Sequence, residues 1–89
     1  MNSAEAAILS RMLKPERDDL SPEAARSFLK LEFDPEDLSR MHELALRAQG
    51  GSLTAAEESE LESYRRIGRL LEVIRSKARR SLARAGLAA

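Results

Sequence analysis

Residues Thr54 to Gly86 read TAAEESELESYRRIGRLLEVIRSKARRSLARAG, and no other part of the chain is so uniform in pattern. The stretch has no proline, and Gly68 is its one glycine before the final Gly86. Alanine, leucine, glutamate and arginine dominate it, all strong helix formers. Thr54 followed three residues later by Glu57 is the signature of a capping box. Apolar residues fall at Tyr64, Ile67, Leu71, Ile74 and Ala78, with Leu61 extending the series backward and Leu70 widening it. Spacings alternating between 3 and 4 predict one amphipathic helix over residues 54–85, with a seam for helix packing. A helix of about 30 residues is roughly 45 Å long. A compact chain of this length has a radius of gyration of only about 12 Å. The end of the helix is therefore expected to overhang the body or to lie against another molecule.

Charge is segregated along the same stretch. Formal net charge is zero, yet residues 1–63 hold 14 acids against 7 bases, and residues 64–89 hold 1 acid against 8 bases. Glu57, Glu58, Glu60 and Glu62 crowd the first turns of the long helix, whereas Arg75, Lys77, Arg79, Arg80 and Arg84 crowd its end. This asymmetry points to self-complementary packing or to a basic arm for an acidic partner.

Upstream, punctuation marks three shorter helices. Ser3 to Leu13 forms the first, stopped by Pro15, and the polar KPERDD that follows reads as a linker. Ser21-Pro22-Glu23 starts the second, with a capping serine, a proline at the first helical position and an acid at the positive helix end. Phe33-Asp34-Pro35-Glu36-Asp37-Leu38 starts the third, with Asp34 as cap and Phe33 and Leu38 as a hydrophobic staple. Leu38, Met41, Leu44, Ala45 and Ala48 make its apolar face, and Gly50-Gly51 supplies the left-handed residue that ends it. The predicted architecture is all-α: an N-terminal helix and linker over 1–19, then a helical domain over 20–89. In that domain the third helix and the long C-terminal helix pair as an antiparallel hairpin. Composition agrees, since Val73 is the sole valine and 14 leucines make up most of the large apolar set.

Chemistry is sparsely signalled. There are no cysteines, which removes disulfides and thiolate metal sites. His42 is the only histidine and has no ligand cluster at metal-binding spacing. No nucleophile elbow or phosphate-binding glycine loop is present. The residues therefore predict no catalytic, cofactor-binding or metal site, and a non-enzymatic binding protein. With no apolar run of about 18 residues and Glu5 where a signal peptide carries positive charge, a cytoplasmic location is expected.

Candidate partner-binding residues lie at the end of the long helix. Leu70, Val73 and Ile74 make an apolar strip, and Arg75, Lys77, Arg79 and Arg80 flank it. Apolar anchors beside cations suit a protein partner. The same cations could contact nucleic-acid phosphates, or the acids of a second copy of the chain.

Residues 20–82 also resemble a known group. The LSPEAA start, the run Asp37 to Ala45, the GGSLTAAEESELESY turn and the LLEVIRSKARRSL end are similar to small helical bacterial proteins found in the gene neighbourhoods of HNH-type nucleases. The resemblance implies a helical accessory protein, antitoxin-like or immunity-like, that neutralises a partner nuclease.

Overall fold

A computed structural model describes residues 1–87 and is all-helical over them: α1 (Ser3–Leu13), α2 (Pro22–Leu29), α3 (Pro35–Gln49) and α4 (Ala55–Arg84). The local chemistry explains the boundaries. Ser21 Oγ accepts the Ala24 backbone N–H at 3.2 Å, with Pro22 at the first helical position. Thr54 Oγ1 accepts the Glu57 N–H at 3.1 Å while the Glu57 carboxylate accepts the Thr54 N–H at 3.0 Å, closing the capping box. Asp34 holds the cap position of α3 but its side chain makes no capping bond; only its carbonyl engages, accepting from Leu38 N. α1 ends at Lys14, which is left-handed at φ 49°. The following Pro15 disfavours the right-handed helical region there, so the chain leaves the helix at this residue.

α4 is the spine of the molecule. Its 30 residues account for the long axis of a body measuring 48 × 26 × 17 Å. The radius of gyration of 15.7 Å exceeds the roughly 12 Å of a compact chain of this length, because the other helices line the spine and do not enclose a centre. α3 runs antiparallel along the acidic half, as Asp37 meets Tyr64, Arg40 meets Glu60 and Arg47 meets Glu57. The predicted hairpin is therefore present. α2 runs antiparallel along the basic half, with Leu20 bonded to Ser81 and Leu31 to Arg75. Together α2 and α3 form one interrupted helix laid beside α4. α1 runs parallel to α4 on another side, from Ser3 near Arg66 to Leu13 near Lys77.

This arrangement corrects the expectation that the basic half overhangs uncovered. α2 covers it: Ala25, Ala78 and Leu82 are fully buried together, and Leu20, Phe28 and Leu29 pack around them. Facing alanines let the two helices approach closely, which a leucine pair would forbid. The covering shifts the seam. Leu61, Leu70, Lys77, Ala78, Ser81 and Leu82 are the buried residues of α4, whereas Ile67 is 38% exposed. A helix touched by three neighbours in succession cannot keep one straight seam. The staple is also different: Phe33 meets the edge of Tyr64, ring centroids 6.1 Å apart at 69°, and Leu38 is 53% exposed. The linker after α1 is tied down, since Lys77, Arg80 and Arg84 all bond to it. No helix among the described residues is long and apolar enough to cross a membrane.

Candidate partner surface

The cations at the end of α4 are spent largely inside the molecule. Lys77 is buried, and its Nζ donates to the Leu13 carbonyl at 2.7 Å and the Lys14 carbonyl at 3.2 Å while pairing with Asp19 at 3.1 Å. Those carbonyls stand at the negative end of α1, where a cation is favoured. The same pair holds the Asp19 carboxyl below its ordinary range, chiefly through the side-chain hydrogen bond from Lys77. Arg75 donates to the Leu31 carbonyl at 2.5 Å, and Arg80 donates to the Pro15 carbonyl. Arg84 pairs with Asp18 at 3.5 Å, and Arg79 reaches Glu72 at 3.8 Å. Of the predicted cations, Arg79 alone is turned to solvent with only a long, exposed ion pair. Such a pair contributes little and leaves its guanidinium available.

The apolar candidates fare differently. Leu70 is 8% exposed, and Val73 and Ile74 are half-buried. Ile74 faces two ways: one side lines a small cavity with Leu13, Leu20 and Phe28, and the other opens into a groove. That groove, of about 270 Å³, lies where α2 gives way to α3, and it is lined by Leu9, Leu31, Phe33, Ile67, Leu70, Leu71 and Ile74, with the exposed Met1 beside them. Glu32 is its one charged lining residue. The break between α2 and α3 creates it, because residues 30–34 leave α4 without a helix against it there. Leu31 is 44% exposed, Met1 54% and Ile67 38%, so the groove opens onto an apolar rim.

Leu31, Phe33 and Ile67 were not among the residues predicted from sequence for this surface. Their signal was available. The tripeptide Leu31-Glu32-Phe33 places two large apolar residues in an inter-helix connection, where polar residues are the rule. Ile67 belonged to the predicted seam and is the seam residue that the intramolecular packing leaves most open.

A second cleft separates α1 from the middle of α4. Its α1 side is uniformly small, with Ser3, Ala6, Ala7 and Ser10 at helical spacing; its α4 side carries Arg66, Arg69, Leu70 and Val73. Among the described residues neither Arg66 nor Arg69 forms an ion pair or a side-chain hydrogen bond, and the Nε of Arg66 is sealed from solvent without a partner. A donor left so costs about 1–3 kcal/mol.

Around the acidic half, Arg40 bonds Glu60 through Nε at 2.8 Å and Nη2 at 2.9 Å, a two-pronged pairing that raises the pKa of Arg40 and lowers that of Glu60. Tyr64 donates to Asp37 at 2.7 Å, which raises the Tyr64 pKa. Every partner in this ladder is another side chain of the same molecule. His42 is exposed, and no cluster of potential metal ligands occurs among the described residues.

No family model, curated protein or solved structure matches the chain.

Proposed function

We propose that this protein is a non-enzymatic helical interaction module whose partner is another protein, and that it acts as an antitoxin-like or immunity-like neutraliser of a nuclease. The observation that supports a protein partner is the open apolar groove bounded by Leu31, Phe33, Ile67 and Ile74. An amphipathic helix supplies side chains at the spacing such a groove accepts. Leu70 and Ile74 keep a place in the surface as its floor, while Ile67 and Leu31 are the accessible anchors. Leu70 and Val73 also line the neighbouring cleft under α1. Arg79 lies beyond the groove, where a charge tunes the rate of association more than the affinity. The nuclease itself comes from the resemblance of residues 20–82 to proteins encoded beside HNH-type nucleases.

Ile67→Asp tests this reading with little damage to the core, because Ile67 is 38% exposed. In cells expressing an HNH-type nuclease, the parent chain should relieve toxicity and Ile67→Asp should not, at equal abundance and equal helicity by circular dichroism. Central apolar anchors of this kind cost about 2 kcal/mol or more when lost. Arg79→Ala should leave protection nearly intact. A folded Ile67→Asp protein that protects fully, beside an Arg79→Ala protein that does not and a DNA affinity that falls with salt, would favour nucleic acid instead.

A further inference from the structure

We infer that the cleft between α1 and α4 is a binding site for a phosphate monoester, held by Arg66 and Arg69 with the hydroxyls of Ser3 and Ser10 at its two ends. The site is separate from the apolar groove and does not rest on the nature of the protein partner.

Most cations of this chain's basic half are neutralised from within. Arg65 pairs with Glu62, Arg75 and Arg79 with Glu72, Lys77 with Asp19 and Arg84 with Asp18, while Arg80 holds a main-chain carbonyl. Arg66 and Arg69 break the pattern. They stand one turn apart on α4, line a common cleft of about 250 Å³, and form no ion pair or side-chain hydrogen bond among the described residues, though both lie near enough to Glu62 to lower its pKa. Arg66 is half-buried and Arg69 exposed, and two like charges one turn apart on a helix repel each other, a repulsion that an anion held between their terminal nitrogens relieves.

The opposite wall fits that role. Serine and alanine at Ser3, Ala6, Ala7 and Ser10 keep α1 from filling the cleft. Neither serine hydroxyl is engaged elsewhere among the described residues, and Ser3 lies in the first turn of α1, the positive end of its dipole. Two guanidinium groups match a dianion in charge, and their forked donors with a hydroxyl match a tetrahedral set of oxygens better than a planar carboxylate. The cleft is longer than one phosphate, because Ser3 and Ser10 are two turns apart, roughly 10 Å along the helix. The ester-bearing remainder of the ligand therefore extends from the arginines towards Ser10.

The test titrates the full chain with inorganic phosphate at fixed ionic strength, following arginine Nε–H and backbone amide signals by NMR, with sodium acetate as a parallel arm. Saturable shifts centred on Ser3, Arg66 and Arg69 are expected with phosphate and not with acetate. Arg66→Gln and Arg69→Gln should each weaken binding about tenfold or more. Arg26→Gln, an exposed cation on α2, should leave it unchanged. Non-saturable shifts, shifts spread over all surface cations, or equal binding of acetate would each overturn the assignment. The unsubstituted chain decides this outcome even if a variant fails to fold.

Discussion

The two halves of α4 are held by opposite means. Along the acidic half, α3 is joined to α4 by side chains meeting side chains: Arg40 to Glu60, Arg47 to Glu57 and Tyr64 to Asp37. Along the basic half, cations of α4 grip the main chain of its neighbours, Lys77 at Leu13 and Lys14, Arg80 at Pro15 and Arg75 at Leu31. The first mode uses a surplus of charge, partly screened from solvent at Arg40–Glu60 and Tyr64–Asp37. The second reaches full burial at one cation, Lys77, which sits beside Ala78, Ser81 and Leu82 at the best-packed end of the molecule. Clustered cations on a helix are thus not by themselves a sign of a charged ligand: here three of them fasten helix ends and a linker.

Substitutions can break this contrast. The largest effect is expected at Leu82, which is fully buried in the α2–α4 core. Leu82→Ala should cost about 3 kcal/mol, the range for an emptied leucine site, and chemical denaturation should show it as a lower midpoint. Leu44→Ala, equally buried but on α3 itself, should cost less, because the thinner contact of α3 with α4 can collapse onto the space. A larger loss at Leu44 would mean that the acidic half carries the stability.

Next comes Lys77→Met, which keeps the apolar stem and removes the amine. Two carbonyls and Asp19 lose their donor, and about 2 kcal/mol should go with it. Amide exchange should rise selectively in α1 and the 14–19 linker. Arg40→Gln on the other half should cost about 1 kcal/mol, because its two-pronged pair is only partly buried and water can replace the lost donors. Comparable losses at the two positions would erase the distinction drawn above.

The caps give a smaller and sharper comparison. Thr54→Ala should cost about 1 kcal/mol, since both bonds of its capping box are formed. Asp34→Ala should cost only a few tenths by the same thermal melt, because its carboxylate makes no capping bond.

Acid should weaken both halves gently. Asp19, Glu57 and Glu60 each have a lowered pKa, caused first by Lys77, by the Thr54 backbone N–H and by Arg40 respectively. A depressed folded pKa favours folding above the unfolded value, here 3.8 for Asp19 and 4.5 for the glutamates. That contribution is lost as pH falls through the folded value. Stability should be level near neutrality and decline below about pH 4.5. Tyr64, whose pKa is raised by its bond to Asp37, works the other way, and its share is lost above about pH 10.

The helices were legible because their ends are written locally. Ser21-Pro22, Asp34-Pro35 and Thr54 with Glu57 each state a boundary within four residues, and the structure places α2, α3 and α4 there. The hairpin of α3 and α4 followed from the short Gly50-Gly51 turn, where Gly51 takes φ 68°. What lay on the basic half was not legible. Lys77 reads as one more surface cation in RSKARR, and nothing local reveals that carbonyls from residues 13 and 14 will meet it. A side chain bonding a distant main chain leaves no periodicity. The apolar groove was hidden for a related reason: it arises from a gap between α2 and α3, and a gap appears only when both helices lie on a third. Gly68, the glycine inside α4, has open space around it. A Cβ placed on it meets nothing within 4 Å, so no backbone within the chain requires it.

The bond from the Leu20 amide to Ser81 Oγ joins residues 61 apart, and this has a consequence on the ribosome. Translation at roughly 5–20 residues per second takes about 3 to 12 seconds to cover that separation. Helices themselves form in about a microsecond. Throughout those seconds Leu20, Phe28 and Leu29 have been synthesised while the surface that buries them has not. The nascent chain must carry its α2 core face uncovered until α4 arrives, so it offers chaperones a binding site that the finished protein lacks.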